Sequence, residues 1–414
     1  MKRPFGLGLV LALLAGNLAL GIALKSPCLT GDWSDGRQYR RLCYTDIVPL
    51  YGTEHLEGSR LPFLDPCPAG NGECDEYPVL TMWVMRTAAW AASGASGFFF
   101  ANFLILAVAA VAVAVALYLA AGRRVLFFVL APTLVIYATV NWDLAAVAFA
   151  TVATLLYLRK RETWSGAMLG LGAAAKMYPA MLAVPFVLGR FHERKPDRGI
   201  YLAWAAAGTW LVLNLPFALA ARSGWLEFFT FNSRRGADWD SLWFVGCRLT
   251  TGDMWCPDKF TKWINVASLV LFAVLAWLTW KLHDRRWPGF PRWTFGFPML
   301  VLFLLANKVY SPQYGLWLLP WFALALPDWR LFAAFEAADV AVFVTRFSFF
   351  GTLTGVGGLP FWTFEVAILV RAVILLTCVV MWVVRRPVEL PRPEPEPGAE
   401  HELGPDQPVA EPVA

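Results

Sequence analysis

Four stretches of this chain, 98–121, 199–220, 263–282 and 361–384, run for twenty residues or more with scarcely a charge. A helix of about 20 apolar residues crosses a hydrocarbon core roughly 30 Å thick. Such runs have no place on a water-soluble surface, and composition agrees. Of 414 residues, 58% are hydrophobic and only 16% charged, against about 25% charged in a soluble domain. The chain therefore reads as an all-α polytopic membrane protein. Its net charge of +5 does not argue for nucleic acid, because the basic residues sit at the edges of the apolar runs.

Those edges orient the chain. Lys2 and Arg3 precede the first run, 4–24, and basic clusters follow later runs at 123–124, 159–161, 190–198, 281–292 and 385–386. Placing these short loops in the cytoplasm satisfies the positive-inside rule and puts both termini inside, in a multi-pass plasma-membrane protein. The first run lacks an A-x-A cleavage site and reads as a retained helix. About 12 transmembrane or re-entrant helices fit between these anchors, at 4–24, 98–121, 125–140, 142–158, 163–175, 177–190, 199–221, 263–281, 293–306, 314–326, 330–348 and 361–384. The short pairs around Lys176 and around 308–314 read as half-helices buried by protein. The membrane domain covers 1–386, with external loops at 25–97 and 222–262. The stretch 387–414 is a Pro/Glu-rich, disordered cytoplasmic tail.

Six of the seven cysteines fall in the two external loops: Cys28, Cys43, Cys67, Cys74, Cys247 and Cys256. An oxidising compartment favours disulfides. "CPAGNGEC" and "CRLTTGDMWC" read as local bridges, which leaves Cys28 with Cys43. Zinc is the rival reading, without paired CxxC spacing to support it.

A charge in a membrane segment costs several kcal/mol and is a functional candidate. On this topology such groups converge on the external face. Asp46 lies in the first loop within "CYTDIVPLY", flanked by aromatics and prolines as a docked segment would be. Asn141, Trp142 and Asp143 form an outer turn, as do Lys176, Tyr178 and the stretch "NKVYSPQY" that holds Lys308, Tyr310 and Gln313. Arg346 sits near the outer end of its helix. Each has a plainer reading: Asp143 as a helix N-cap, Lys176 as a snorkelling lysine, Lys308 and Gln313 as partners of a broken helix's carbonyls. Arg371 pairs with Glu365 in this reading. The triplet Asp238-Trp239-Asp240 matches the DxD metal pattern but is short enough to arise by chance. Asp32, Asp35 and Asp65 read as solvated loop acids.

Taken in order, "CYTDIVPLY", "EYPVLT" (76–81), "NWD" (141–143), "AAAKMYP" (173–179) and "NKVYSPQYGLWLLP" (307–320) resemble the polyprenol-phosphate-sugar-dependent membrane glycosyltransferases of family 87, from actinobacterial envelope synthesis. The resemblance spans roughly residues 5–385 and implies the class C architecture. It also implies a sugar donor carried on a polyprenyl phosphate and an acidic catalytic base in the first external loop, which maps to Asp46. A sugar hydroxyl needs a carboxylate to take its proton, and the departing phosphate needs cations. Lys176, Lys308 and Arg346 fill that role, without a metal or other cofactor. Asn141, Asp143 and Gln313 are the polar substrate contacts, with Tyr44, Trp142, Tyr178 and Tyr310 to stack on pyranose faces. One base implies inversion. The resemblance implies mannose or arabinose as the sugar and an envelope glycan or glycolipid as the acceptor. A flippase or transporter of lipid-linked sugars is the alternative, although its polar groups belong near the midplane between repeats. A non-catalytic assembly protein would tolerate loss of Asp46.

Overall fold

The computed structural model describes residues 6–30, 33–68, 74–252 and 256–390. Among these it is helical, without strands. In chain order the helices are α1 (Leu7–Lys25), α2 (Arg37–Arg40), α3 (Ile47–Thr53), α4 (Val79–Trp90), α5 (Gly94–Ala121), α6 (Leu126–Val129), α7 (Pro132–Tyr137), α8 (Asp143–Leu158), α9 (Glu162–Ala175), α10 (Tyr178–His192), α11 (Pro196–Ala220), α12 (Arg222–Arg234), α13 (Leu242–Thr251), α14 (Thr261–Arg286), α15 (Gly296–Ala306), α16 (Leu319–Leu324), α17 (Trp329–Leu353) and α18 (Phe361–Val384). Five are long and apolar enough to cross a bilayer: α1, α5, α11, α14 and α18. Helix α17 is as long, at 25 residues, but carries Glu336, Asp339 and Arg346. Lys2, Arg3, Asp32 and the tail beyond 390 lie outside the described residues.

The expected helix 125–140 is two short pieces. Pro132 opens α7 and supplies no N–H of its own. The break leaves backbone groups that only protein can satisfy at this depth. Asn17 of α1 donates to the carbonyls of Val129 (3.3 Å) and Ala131 (3.1 Å). The buried Glu336 accepts from the Thr133 amide (2.8 Å) and hydroxyl (2.9 Å).

The half-helices expected on either side of Lys176 are present: α9 has 14 residues and α10 has 15, or about 21–23 Å each. Helix α9 packs tightly along α11 because Gly166 and Gly170 leave room for backbone. A Cβ at these positions would stand 2.2 Å from the Leu202 carbonyl oxygen and 2.5 Å from that of Ala206. Past α15, the chain runs extended and then as a 3₁₀ turn, Pro312–Trp317, into the six-residue α16.

The expected loops are more ordered than their sequence suggests. The first holds α2, α3 and α4, the second α12 and α13. Ser241 caps α13, accepting from the Phe244 amide at 3.1 Å, and Gly252 ends it at φ 76°. The three expected disulfides, Cys28–Cys43, Cys67–Cys74 and Cys247–Cys256, are formed. The expected Arg371–Glu365 pair is not. Six residues along a helix turn about 240°, so the two side chains face apart. Arg371 instead bonds Asp339 of α17 at 3.0 Å, and Glu365 bonds Arg248 of α13 at 2.9 Å.

The basic stretches are held by ion pairs. Arg190 bonds Glu162 at 3.0 Å across two of them, Arg292 bonds Asp284 within its own loop at 2.6 Å, and Arg385 bonds Asp328 at the start of α17 at 2.6 Å.

Candidate active site

The segment 43–46 is held at every residue. Cys43 is bonded to Cys28. The Tyr44 carbonyl accepts from Lys25 Nζ at 2.6 Å. Thr45 Oγ1 donates to the Thr139 carbonyl at 2.6 Å, and the Asp46 amide donates to the Val140 carbonyl at 2.8 Å. The segment is therefore docked on the α7–α8 turn, as its flanking aromatics led us to expect. Asp46 precedes α3 at the N-cap position, yet its carboxylate caps nothing. It turns into a cavity of about 620 Å³ that Tyr44 also lines, accepting from Asn141 Nδ2 at 2.8 Å. Burial raises its pKa above the ordinary carboxylate value, against the pull of Asn141, Tyr44, Arg346 and Lys176.

Lys176 occupies the break between α9 and α10, where the α9 C-terminus favours a cation. Its ammonium bonds Asp143 at 3.1 Å and lies 5.5 and 5.1 Å from the ring centres of Tyr77 and Tyr314. Asp143 is fully buried and does not cap α8; its second oxygen accepts from the Trp317 indole at 2.8 Å. Tyr178 and Tyr314 stack on the two sides of Trp317, with centroids at 4.1 and 4.2 Å. Lysine, carboxylate and aromatic box thus fix one another.

The facing wall comes from α12 and the segment after it. Lys308 donates to the carbonyls of Asn232 (2.7 Å) and Arg235 at the end of α12, the broken-helix role weighed above, here for a neighbouring helix. Two of its three protons are used; the ammonium still lines the cavity. Burial, then Arg235, lowers its pKa to about 8. Arg235 lines the cavity and pairs with Asp238 at 3.2 Å. Arg346 pairs with Asp240 and lies 4.0 Å from Asp238. The DxD carboxylates thus face two arginines. Burial would raise Asp238, but Arg235 and Arg346 hold it below its ordinary value. In Asp240 burial prevails and the pKa rises to about 6.

Of the residues singled out from sequence, the cavity gathers Tyr44, Asp46, Asn141, Lys176, Tyr178, Gln313, Lys308 and Arg346. Asp143 lies behind Lys176. Tyr310 is turned away, its ring 3.7 Å beneath the Arg371 guanidinium. Trp142 is buried and donates to Asn102 at 2.6 Å. Asn141 spends both amide hydrogens on Asp46 and on the Tyr77 hydroxyl (2.7 Å), so it orients the carboxylate. Sequence reasoning passed over Arg235, Tyr77 and Tyr314, although the last two stand inside quoted motifs. Asp35 is exposed against Arg37, and Asp65 accepts from the Leu61 amide. Among the described residues one group could offer three metal ligands, His55, Cys67 and Cys74, and the Cys67–Cys74 disulfide leaves neither thiolate.

A family model described as glycosyltransferase family 87 matches residues 76–307, more than half of the chain. The chain belongs to glycosyltransferase family 87. It is a multi-pass membrane glycosyltransferase. The matched span holds Tyr77, Asn141, Asp143, Lys176, Arg235, Asp238 and Asp240; Asp46, Lys308 and Arg346 fall outside it. No curated protein matches the chain. Among solved structures, ArnT from Cupriavidus metallidurans bound to undecaprenyl phosphate is similar at a TM-score of 0.45 and 14% identity, over 91% of this chain and 77% of that one.

Proposed function

We propose that this glycosyltransferase moves a single sugar, mannose or arabinose, from a polyprenyl phosphate to an envelope glycan or glycolipid, with Asp46 as general base. The observation that carries the reading is the Asp46 carboxylate, anchored through four consecutive residues and sharing with Lys176, Arg235, Lys308 and Arg346 a cavity that Glu76 also lines. Asp46 takes the proton of the acceptor hydroxyl. The oxygen bonds the anomeric carbon as the carbon–oxygen bond to phosphate breaks, and that electron pair leaves on the polyprenyl phosphate. One displacement inverts the centre. The four cations stabilise the departing charge in a water-poor setting, while Asp143, Asp238 and Asp240 hold three of them in place. Phe228, Phe229 and Phe231 of α12 give the cavity an apolar wall suited to the first prenyl units. The active site faces outward in the plasma membrane, with both termini in the cytoplasm, which is the orientation the basic loops favour.

The test is a donor panel. Purified protein in liposomes is given polyprenyl-phosphate mannose, polyprenyl-phosphate arabinose and the matching nucleotide sugars, each labelled. Transfer from a polyprenyl-phosphate sugar supports the reading. Transfer from the nucleotide sugars alone would overturn it.

A further inference from the structure

One more buried cation stands beside the Asp46 segment, and it comes from the first span. Lys25 is the last residue of α1. A lysine at the end of a membrane helix ordinarily snorkels, leaving its stem in the apolar layer and its head in water. Lys25 does the reverse. Its exposure is 0%, its ammonium lies 5.3 Å from the ring centre of Phe343 on α17, and it donates to the Tyr44 carbonyl at 2.6 Å. Withdrawing a lysine from water in this way costs several kcal/mol.

What it holds is the residue that holds the base. The Tyr44 ring lies on Phe347 at 4.4 Å and 26°, and its side chain lines the cavity beside the Asp46 carboxylate, whose pKa it pulls down. The Cys28–Cys43 bridge joins the same two segments, but a disulfide fixes the separation of two side chains and leaves the next peptide free to rotate. A bond to the Tyr44 carbonyl removes that freedom. Tyr77, Lys176 and Arg346 face Asp46 from the other elements, and Lys25 adds its charge from the α1 side.

We propose that Lys25 is a positioning residue for sugar transfer, fixing the Tyr44 carbonyl so that the Tyr44 hydroxyl and the Asp46 carboxylate keep their aim into the cavity. The inference rests on Asp46 being the base. It makes the end of the first span part of the catalytic apparatus.

The experiment compares wild type, Lys25→Met, Lys25→Arg, Tyr44→Phe and Asp46→Asn in liposomes with polyprenyl-phosphate mannose and polyprenyl-phosphate arabinose. It reads kcat, donor KM and the pH profile of kcat per folded protein. Lys25→Met lowers kcat by ~10-fold or more, the scale of a sub-ångström misplacement, and leaves donor KM unchanged. Loss of a nearby cation makes Asp46 easier to protonate, so the acid limb moves to higher pH. Lys25→Arg recovers most of the rate. Tyr44→Phe moves the acid limb in the same direction. A Lys25→Met protein that folds with wild-type kcat and acid limb overturns the proposal. If that variant does not fold, Tyr44→Phe decides, and an unmoved acid limb overturns it. Should Asp46→Asn be active, the base reading falls and this inference with it. Should Asp46→Asn be dead while Lys25→Met and Tyr44→Phe behave as wild type, only the positioning role falls.

Discussion

Lys176 pairs with Asp143 and, on the proposed reading, also binds the donor phosphate; a double-mutant cycle separates the two roles. Lys176→Met alone removes the cation 3.1 Å from Asp143, whose side chain is wholly buried. Stranding a buried carboxylate in this way destabilises by about 3–5 kcal/mol. The variant should therefore lose thermal stability as well as activity. Adding Asp143→Asn removes the stranded charge and leaves the Trp317 indole an oxygen to bond, so stability should return to near wild type. Donor affinity should not return. A charge-assisted hydrogen bond to phosphate contributes about 1.5–3 kcal/mol, which converts to roughly 10- to 150-fold in Kd. The assay is thermal unfolding in detergent alongside binding of a polyprenyl-phosphate sugar to each corner of the cycle. If the double variant binds donor as tightly as wild type, Lys176 serves only the fold and the phosphate assignment is wrong.

Three further outcomes follow from the same geometry. Lys308→Met should free the end of α12, so hydrogen exchange across 226–236 should rise; protection equal to wild type would remove the clamp. Glu54 is buried in the first loop, where it accepts from the Asp75 amide at 2.7 Å, and burial raises its pKa from 4.5 to about 8. A raised carboxyl pKa contributes stability that is complete below pH 4.5 and lost as pH rises through about 8, so Glu54→Gln should flatten that decline in melting temperature. Asp75, also raised by burial, leaves part of the slope. Maleimide added to intact cells after reduction should label Cys67, Cys74, Cys247 and Cys256; labelling only after lysis would reverse the orientation.

What could be read from sequence was whatever local chemistry makes visible. Long uncharged runs marked the spans, and an aspartate among prolines and aromatics marked the docked segment. Other parts depend on contacts between distant segments. Residues 125–140 are uncharged throughout, and nothing local shows that Asn17 and Glu336 stand ready to satisfy a break at Pro132. Helix α12 alternates charge with phenylalanine and resembles a loop until the Lys308 clamp is seen. The DxD triplet looked accidental because its partners, Arg235 and Arg346, are respectively three and more than a hundred residues away. Tyr310 was assigned to the sugar because its motif faces the right side; the Arg371 guanidinium that takes its ring comes from α18.

The central claim is that Asp46 takes the acceptor proton. Removing a general base slows a reaction by ~10²–10⁴-fold. With polyprenyl-phosphate sugar and acceptor both saturating, Asp46→Asn should lose turnover on that scale while still binding donor, since its cations remain in place. Asp35→Asn, on an exposed acid already paired with Arg37, should turn over as wild type. An Asp46→Asn enzyme with wild-type kcat, beside a dead Asp240→Asn, would contradict the account and move the base to Asp240, the buried partner of Arg346.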